Sequence, residues 1–126
     1  MRRFSLGVAV AAAGIYCCNR FVASIDFVLP YAFAHYHLND LCGGVLFPAY
    51  VDLLSWVVRR RRLVTSLPRL LLLCGACCVC WEVLAQLFLS RSTGDVIDAT
   101  MYLIGGVVYY AAALCDDRMG SQGAAN

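Results

Sequence analysis

Four apolar stretches, each close to the length of a membrane-spanning helix, alternate along the chain with short polar stretches. A helix that crosses the hydrocarbon core of a bilayer needs about 20 mostly apolar residues. We therefore expect one transmembrane domain over residues 1–115, and residues 116–126, rich in Gly, Ser and Ala, are expected to form a disordered cytoplasmic tail. The apolar stretches predict helices over residues 4–24, 41–58, 70–89 and 96–115.

The segment between the first two apolar stretches, residues 21–40, mixes apolar, aromatic and polar side chains. Pro30 limits any helix through it, because proline lacks the backbone N–H that a helix needs. Tyr31 and Tyr36 are typical of a membrane interface. The predicted fold is therefore an all-α membrane protein, a four-transmembrane-helix bundle with an interfacial segment before helix two.

Composition agrees with membrane insertion and argues against a nucleic-acid-binding protein. Hydrophobic residues make up 62% of the chain and charged residues 14%, whereas an ordinary soluble domain is about a quarter charged. All ten basic residues are arginines, and their main cluster, residues 59–62, lies between two apolar stretches rather than on a polar face with interleaved aromatics. We expect membrane lipids as partners and no nucleic acid.

Eight cysteines lie almost entirely within the apolar stretches. The series Cys74, Cys77, Cys78 and Cys80 contains a C-x-x-C spacing, which can bind zinc, but no histidine or second C-x-x-C pair completes it. Small, polarizable side chains pack well between membrane helices. We expect the cysteines to serve packing, with no metal and no cofactor.

The arginines also predict the orientation of the helices, because cytoplasmic loops of membrane proteins are enriched in Lys and Arg. With four spans and a cytoplasmic N-terminus, only Arg20 and Arg91 lie outside. We therefore predict cytoplasmic N- and C-termini. The basic start and the first apolar stretch also fit a cleaved signal peptide, although we expect an uncleaved first helix. The arginines at 59–62 suit anionic lipid as well, but topology alone accounts for them.

This orientation brings sequence-distant polar residues to the outer level of the membrane. Charged groups at membrane depth are costly unless they pair, so they mark candidate functional sites. The candidates lie before helix two, in the outer half of helix three, and in the loop and first turn leading into helix four: His37, Asp40, Glu82, Gln86, Arg91, Asp95 and Asp98.

Three hypotheses fit this outer cluster. In the first it is structural: Glu82 and Asp98 pair with Arg91 or with the histidines, and Asp95 and Asp98 stabilise the start of helix four. In the second it binds an ion, or a phosphate or amine headgroup. In the third, Glu82 or Asp98 is a general base, although no nucleophile motif accompanies it. Whether the protein is an enzyme stays open at this point.

Asp52 is a further acidic residue inside the second apolar stretch, about two turns before the arginine cluster. A carboxylate within a span needs a partner. We interpret it as a helix-end carboxylate that pairs with one of those arginines, with a transport or proton-relay role as the alternative.

The polar pattern in the last third of the chain resembles the VanZ-like family of small multi-pass membrane proteins. Residues 81–110 carry E-x-x-x-Q, then R, then D-x-x-D, then G-G, and TGDVIDATMYLIGG is the segment that matches best. The resemblance implies a bacterial protein of the cytoplasmic (inner) membrane that acts in the cell envelope, with a link to glycopeptide-antibiotic resistance. It implies no particular reaction. The residues that fall on the family's polar signature are Glu82, Gln86, Arg91, Asp95, Asp98 and Gly105.

We therefore expect a VanZ-like envelope protein whose outer-face polar site takes a lipid-linked or other envelope ligand. One alternative is a small transporter or permease subunit, which would need to form homo-oligomers because four spans are few for a carrier. The other alternative is a structural or accessory membrane protein.

Overall fold

A computed structural model describes residues 2–22, 37–88 and 96–123, with the side chains of residues 81–88 outside the described part. Every element in these ranges is helical, which confirms the all-α prediction. The chain forms α1 (Arg2–Cys17), which continues into a short π-helical turn (Cys18–Val22), then α2 (Leu38–Arg59), α3 (Leu67–Phe88) and α4 (Val96–Gly123).

The helix boundaries differ from the prediction most clearly at the C-terminal end. Residues 116–123, expected to be part of a disordered tail, continue α4 as far as Gly123. At the start of this extension, Asp116 and Asp117 both pair with the guanidinium of Arg62 in the α2–α3 connection, which ties the first residues beyond the predicted end to the bundle. Most of the expected interfacial segment before α2, residues 23–36, lies outside the described residues.

Three of the helices are long and apolar enough to cross a membrane: Arg3–Phe21, Leu38–Arg59 and Val96–Met119. In α3 the described apolar part is shorter, Leu67–Cys80. Many large apolar side chains face outward, whereas the buried positions include small and polar residues such as Ala49, Cys74 and Asp52. By length and composition, the described part of the chain thus contains three helices that could span a membrane. Outward-facing residues that are more than half exposed include Val10, Val58, Leu72, Val79 and Val108.

Polar contacts show that α2 and α4 run in the same direction and that α1 runs opposite to them. The start of α2 meets the start of α4 through His37 and Asp98. The start of α1 instead lies beside the second half of α4, where Ser5 contacts Tyr109. Helix α3 runs opposite to α4. Cys77 of α3 meets Tyr102, whereas Cys74, which comes earlier in α3, meets Gly106, four residues later in α4.

Two ends of the bundle are therefore defined. At the basic end α1 begins, α2 ends and α3 begins, and the last turns of α4 reach it through Asp117 and Arg62. At the polar end α1 ends and α2 and α4 begin. The arginines of the basic end are Arg3, Arg59, Arg60, Arg61, Arg62, Arg69 and Arg118; Arg20 lies at the polar end.

Helices α2 and α4 touch along their backbones, because glycines face each other there. A Cβ atom on Gly44 would overlap the backbone of Tyr102, and one on Gly105 would overlap the carbonyl oxygen of Leu41. Such close approach is typical of small residues between membrane helices. It fixes the positions of α2 and α4 relative to each other, and hence of the polar side chains at both ends. Helix α3 joins this pair through Leu70 and Cys74.

Candidate functional site

The polar end holds a hydrogen-bonded pair that joins two helix starts. His37 Nδ1 lies 3.2 Å from Asp98 Oδ1, and both side chains are partly open, at 24% and 44% exposure. Asp98 is in the first turn of α4, where the helix dipole favours a carboxylate. His37 immediately precedes α2. The close α2–α4 contact places these two residues, which are distant in sequence, beside each other.

Asp40 lies on the first turn of α2 and interacts electrostatically with both Asp98 and His37. A hydrogen bond of 3.1 Å between Asn19 and Asn39 ties the end of α1 to the same level. The polar end thus gathers two carboxylates and one imidazole, with amide side chains beside them. Ionised Asp40 and Asp98 together carry a charge of −2, which Arg20 at the same end offsets in part, so the two carboxylates suit a cationic group.

Of the seven candidate residues, the structure brings three together: His37, Asp40 and Asp98. Glu82 and Gln86 lie on the half of α3 farther from the basic end, and their side chains are outside the described part. Arg91 and Asp95 also lie outside the described residues. Asp98 pairs with a histidine, one of the two kinds of partner expected for it.

Among the residues whose side chains are described, no group of three or more His, Cys, Asp or Glu side chains is placed so that it could hold a metal ion. The cysteines are free thiols. Cys74 is buried against Gly106, and the thiol of Cys77 lies 3.4 Å from the Tyr102 hydroxyl. These cysteines fill space between α3 and α4.

A second polar cluster lies inside the bundle toward the basic end, centred on Asp52. This side chain is only 2% exposed. Its Oδ1 accepts hydrogen bonds from the backbone N–H groups of Leu63 and Val64, at 3.0 and 2.9 Å, and its Oδ2 accepts one from the Tyr109 hydroxyl at 2.8 Å. The prediction that Asp52 pairs with an arginine is wrong. Within the described part of the chain, its carboxylate binds two backbone N–H groups and a tyrosine hydroxyl.

The hydroxyl of Tyr109 continues this cluster to α1. Its one proton goes to Asp52, so the Ser5 hydroxyl, 3.0 Å away, donates to it. Tyr109 is fully buried and its ring also packs against Phe4. The chain of hydrogen bonds from Ser5 through Tyr109 to Asp52 therefore connects α1, α4, α2 and the α2–α3 connection.

Of the four consecutive arginines at residues 59–62, Arg62 makes contacts inside the helix bundle. Its side chain is 10% exposed and pairs with Asp117 at 3.1 Å and Asp116 at 3.6 Å, while its guanidinium lies 5.8 Å from the Phe4 ring. This residue joins the α2–α3 connection to α4 and to α1.

Ser5, Tyr109, Asp116 and Asp117 were not anticipated as members of a polar cluster. One signal was present for Tyr109. Asp98, Tyr102, Gly105 and Tyr109 recur at spacings of four, three and four residues, which places them on one helical face. Glycine, tyrosine and aspartate do not form an apolar stripe, so a search for hydrophobic periodicity passes over this face.

No protein-family model, no curated protein and no solved structure matches this chain. The resemblance to the VanZ-like family accordingly stays a prediction from the residues that carry it.

Proposed function

We propose that the chain is a VanZ-like, four-span protein of the bacterial inner membrane, with an outer-face site at the polar end that binds a cationic group of an envelope ligand. The observation that carries this proposal is the partly open His37–Asp98 hydrogen bond. A pair that serves only to hold two helices together is better placed in the interior, where water does not compete for it.

The charge of the polar end supports the choice of a cationic ligand. Asp40 and Asp98 provide two carboxylates, and His37 accepts or donates a hydrogen bond according to its tautomer. An ammonium headgroup or an amine of a lipid-linked envelope component would be attracted to these carboxylates. A phosphate would be repelled by them, although Arg91 would join the site in the VanZ-like pattern.

The proposed orientation rests on the arginines that gather at the basic end. Seven of the ten arginines lie there when Arg2, Arg20 and Arg91 are left aside. Cytoplasmic loops carry such an excess. We place the basic end in the cytoplasm and the polar end at the outer face. Helix α3, with 22 residues, is about 33 Å long at 1.5 Å per residue, which is sufficient for the fourth span.

Topology is tested with reporter fusions placed after Arg62 and after Arg91, using a periplasm-active and a cytoplasm-active reporter at each point. We expect a cytoplasmic signal after Arg62 and an external signal after Arg91. A cytoplasmic signal at both positions would contradict the fourth span and the outer site together.

The site is tested by glycopeptide sensitivity in a bacterial host with and without the expressed chain. If the wild-type chain changes the inhibitory concentration of teicoplanin, Asp98→Asn and His37→Gln should abolish that change while the proteins accumulate normally. The matched control is Asp116→Asn, a partly exposed aspartate at the opposite end. Full activity of the Asp98 and His37 variants would refute the site, and an unchanged inhibitory concentration for the wild type would refute the glycopeptide link.

A further inference from the structure

We propose that Arg59, Arg60 and Arg61 form a preformed binding site for the phosphate of an anionic phospholipid at the basic end. The proposal needs α2 to lie in a membrane. It does not depend on the polar-end site or on the resemblance to a family.

The chain turns at Arg60 in a way that positions its side chain. Arg60 is the C-cap of α2 and adopts the left-handed conformation, with φ 56° and ψ 23°, while its N–H bonds the Trp56 carbonyl at 3.0 Å. Glycine or asparagine usually occupies such a position, because a larger side chain is strained there. The guanidinium of Arg60 lies 4.5 Å from the centre of the Trp56 ring, a cation–π contact that holds it in place.

The four consecutive arginines divide into two kinds. Arg62 turns inward and is neutralised by Asp116 and Asp117. Residues 59–61 are exposed and make no ion pair with the part of the chain that the structure describes. Their charge is therefore available to a ligand, whereas that of Arg62 is used within the protein.

Hydrogen bonds and an ion pair from the interior of the bundle fix the connection that carries these arginines. The Asp52 carboxylate holds the backbone N–H groups of Leu63 and Val64, and Arg62 holds the connection to α4. The three exposed guanidinium groups are thus attached to a fixed turn rather than to a loose loop. A ligand that binds them has little backbone to order, which favours binding.

The surroundings of the three arginines favour a phospholipid over a soluble anion. Val57 and Val58 immediately precede them and are 65% and 71% exposed, and Leu63 follows them on the surface as well. Acyl chains would cover these apolar side chains while guanidinium groups pair with the headgroup phosphate, a bidentate partner of arginine. A soluble phosphate would leave the two valines in water. Tryptophan at the headgroup level completes a pattern typical of membrane interfaces.

Trp56 allows the proposal to be tested at the site itself. The chain has two tryptophans, so a Trp81→Phe background leaves Trp56 as the fluorescent residue. The full chain is reconstituted into two kinds of mixed vesicle, one in which phosphatidylglycerol is brominated and one in which phosphatidylcholine is brominated. Bromine quenches the fluorescence of a nearby tryptophan, so the quenching of Trp56 in the two mixtures gives the relative affinity of the two lipids. Each arginine near an anionic lipid contributes about fivefold, so for the three arginines together we expect a preference for phosphatidylglycerol on the order of a hundredfold.

The Arg59→Gln/Arg60→Gln/Arg61→Gln variant should bring that preference close to one, and Arg60→Gln alone should lower it by about fivefold. The single variant keeps the test decisive if the triple variant fails to fold. Arg20→Gln, which removes an exposed arginine at the polar end, is the matched control and should leave the preference unchanged.

An equal affinity for both lipids in the parent protein, or a preference retained by the triple variant, would overturn the proposal. Competition with inorganic phosphate shows whether the arginines bind the phosphate of a lipid headgroup or free phosphate from solution. If phosphate removes the preference while sodium chloride of equal ionic strength does not, the site binds free phosphate and the lipid assignment is wrong. If both salts weaken the preference equally, screening of the lipid charge accounts for it, as expected.

Discussion

The two polar clusters of this bundle contain the same kind of acidic side chain in opposite situations. Asp52 is buried and its carboxylate accepts three hydrogen bonds, all from donors that cannot leave without disturbing the fold. Asp98 is 44% exposed and shares one hydrogen bond with a partly exposed histidine. A satisfied and inaccessible carboxylate serves the structure, whereas an open one can exchange its partner for a ligand.

The difference follows from where each residue lies relative to the α2–α4 contact. Asp52 faces Tyr109 on the far side of the glycines and is enclosed by α1 as well. Asp98 lies at the start of α4, beside the beginning of α2. From the sequence, Asp98 was already a candidate site residue and Asp52 was interpreted as a helix-end carboxylate, but its predicted partner was an arginine rather than Tyr109 and two backbone N–H groups.

The largest expected effect belongs to Gly44, the residue on which both clusters depend. Gly44→Ala would place a methyl group into the backbone of Tyr102, which forces α2 and α4 apart and lowers the free energy of unfolding by about 3 kcal/mol or more. The midpoint of unfolding in a dodecylmaltoside–SDS titration measures this loss.

Gly75→Ala is the matched control, since a Cβ there meets nothing within 4 Å. Alanine is the better helix former by up to about 1 kcal/mol, so this variant should be neutral or slightly stabilised. If Gly44→Ala is as stable as Gly75→Ala, then the close α2–α4 contact does not hold the two ends in place.

The next effect belongs to Asp52. Asp52→Ala leaves two backbone N–H groups and the Tyr109 hydroxyl without their acceptor, and we expect a loss of about 2–3 kcal/mol of unfolding free energy. Asp52→Asn keeps an oxygen for the two N–H groups, so its loss should be about 1 kcal/mol. The same titration compares them. Equal stability of Asp52→Ala and wild type would remove the structural role and restore a transport role as the simpler explanation.

The smallest effect belongs to Asp98. Asp98→Asn weakens a half-exposed pair, which typically contributes less than about 1 kcal/mol, so the unfolding midpoint should barely change. A loss as large as that of Asp52→Ala would make the two ends alike and would turn the polar end into a second structural cluster.

The positions of the helices could be predicted from the sequence because each helix coincides with a long, mostly apolar stretch. Helix α2 was expected over residues 41–58 and extends from Leu38 to Arg59. The end of α4 could not be predicted in this way. Residues 116–123 are mostly polar, and the first two of them pair with Arg62, more than 50 residues earlier in the chain.

The partners of the polar residues were harder to predict than the residues themselves. His37 and Asp98 were identified as candidates because alternating spans bring alternate ends together. The partners of Asp52 were missed for a physical reason: two are backbone N–H groups, which every residue possesses, and the third is a tyrosine among many aromatic residues. No local pattern distinguishes these donors from their neighbours.

The hydrogen bond between Ser5 and Tyr109 has a consequence for biosynthesis. Its two residues are 104 positions apart, and a ribosome adds about 5–20 residues per second. Roughly 5–20 s therefore pass between the synthesis of the first helix and the arrival of its partner. Asp52, which precedes Tyr109 by 57 positions, also lacks the hydroxyl that binds it for the later part of that interval. The hydrogen bonds of this cluster can be completed only after Tyr109 has left the ribosome.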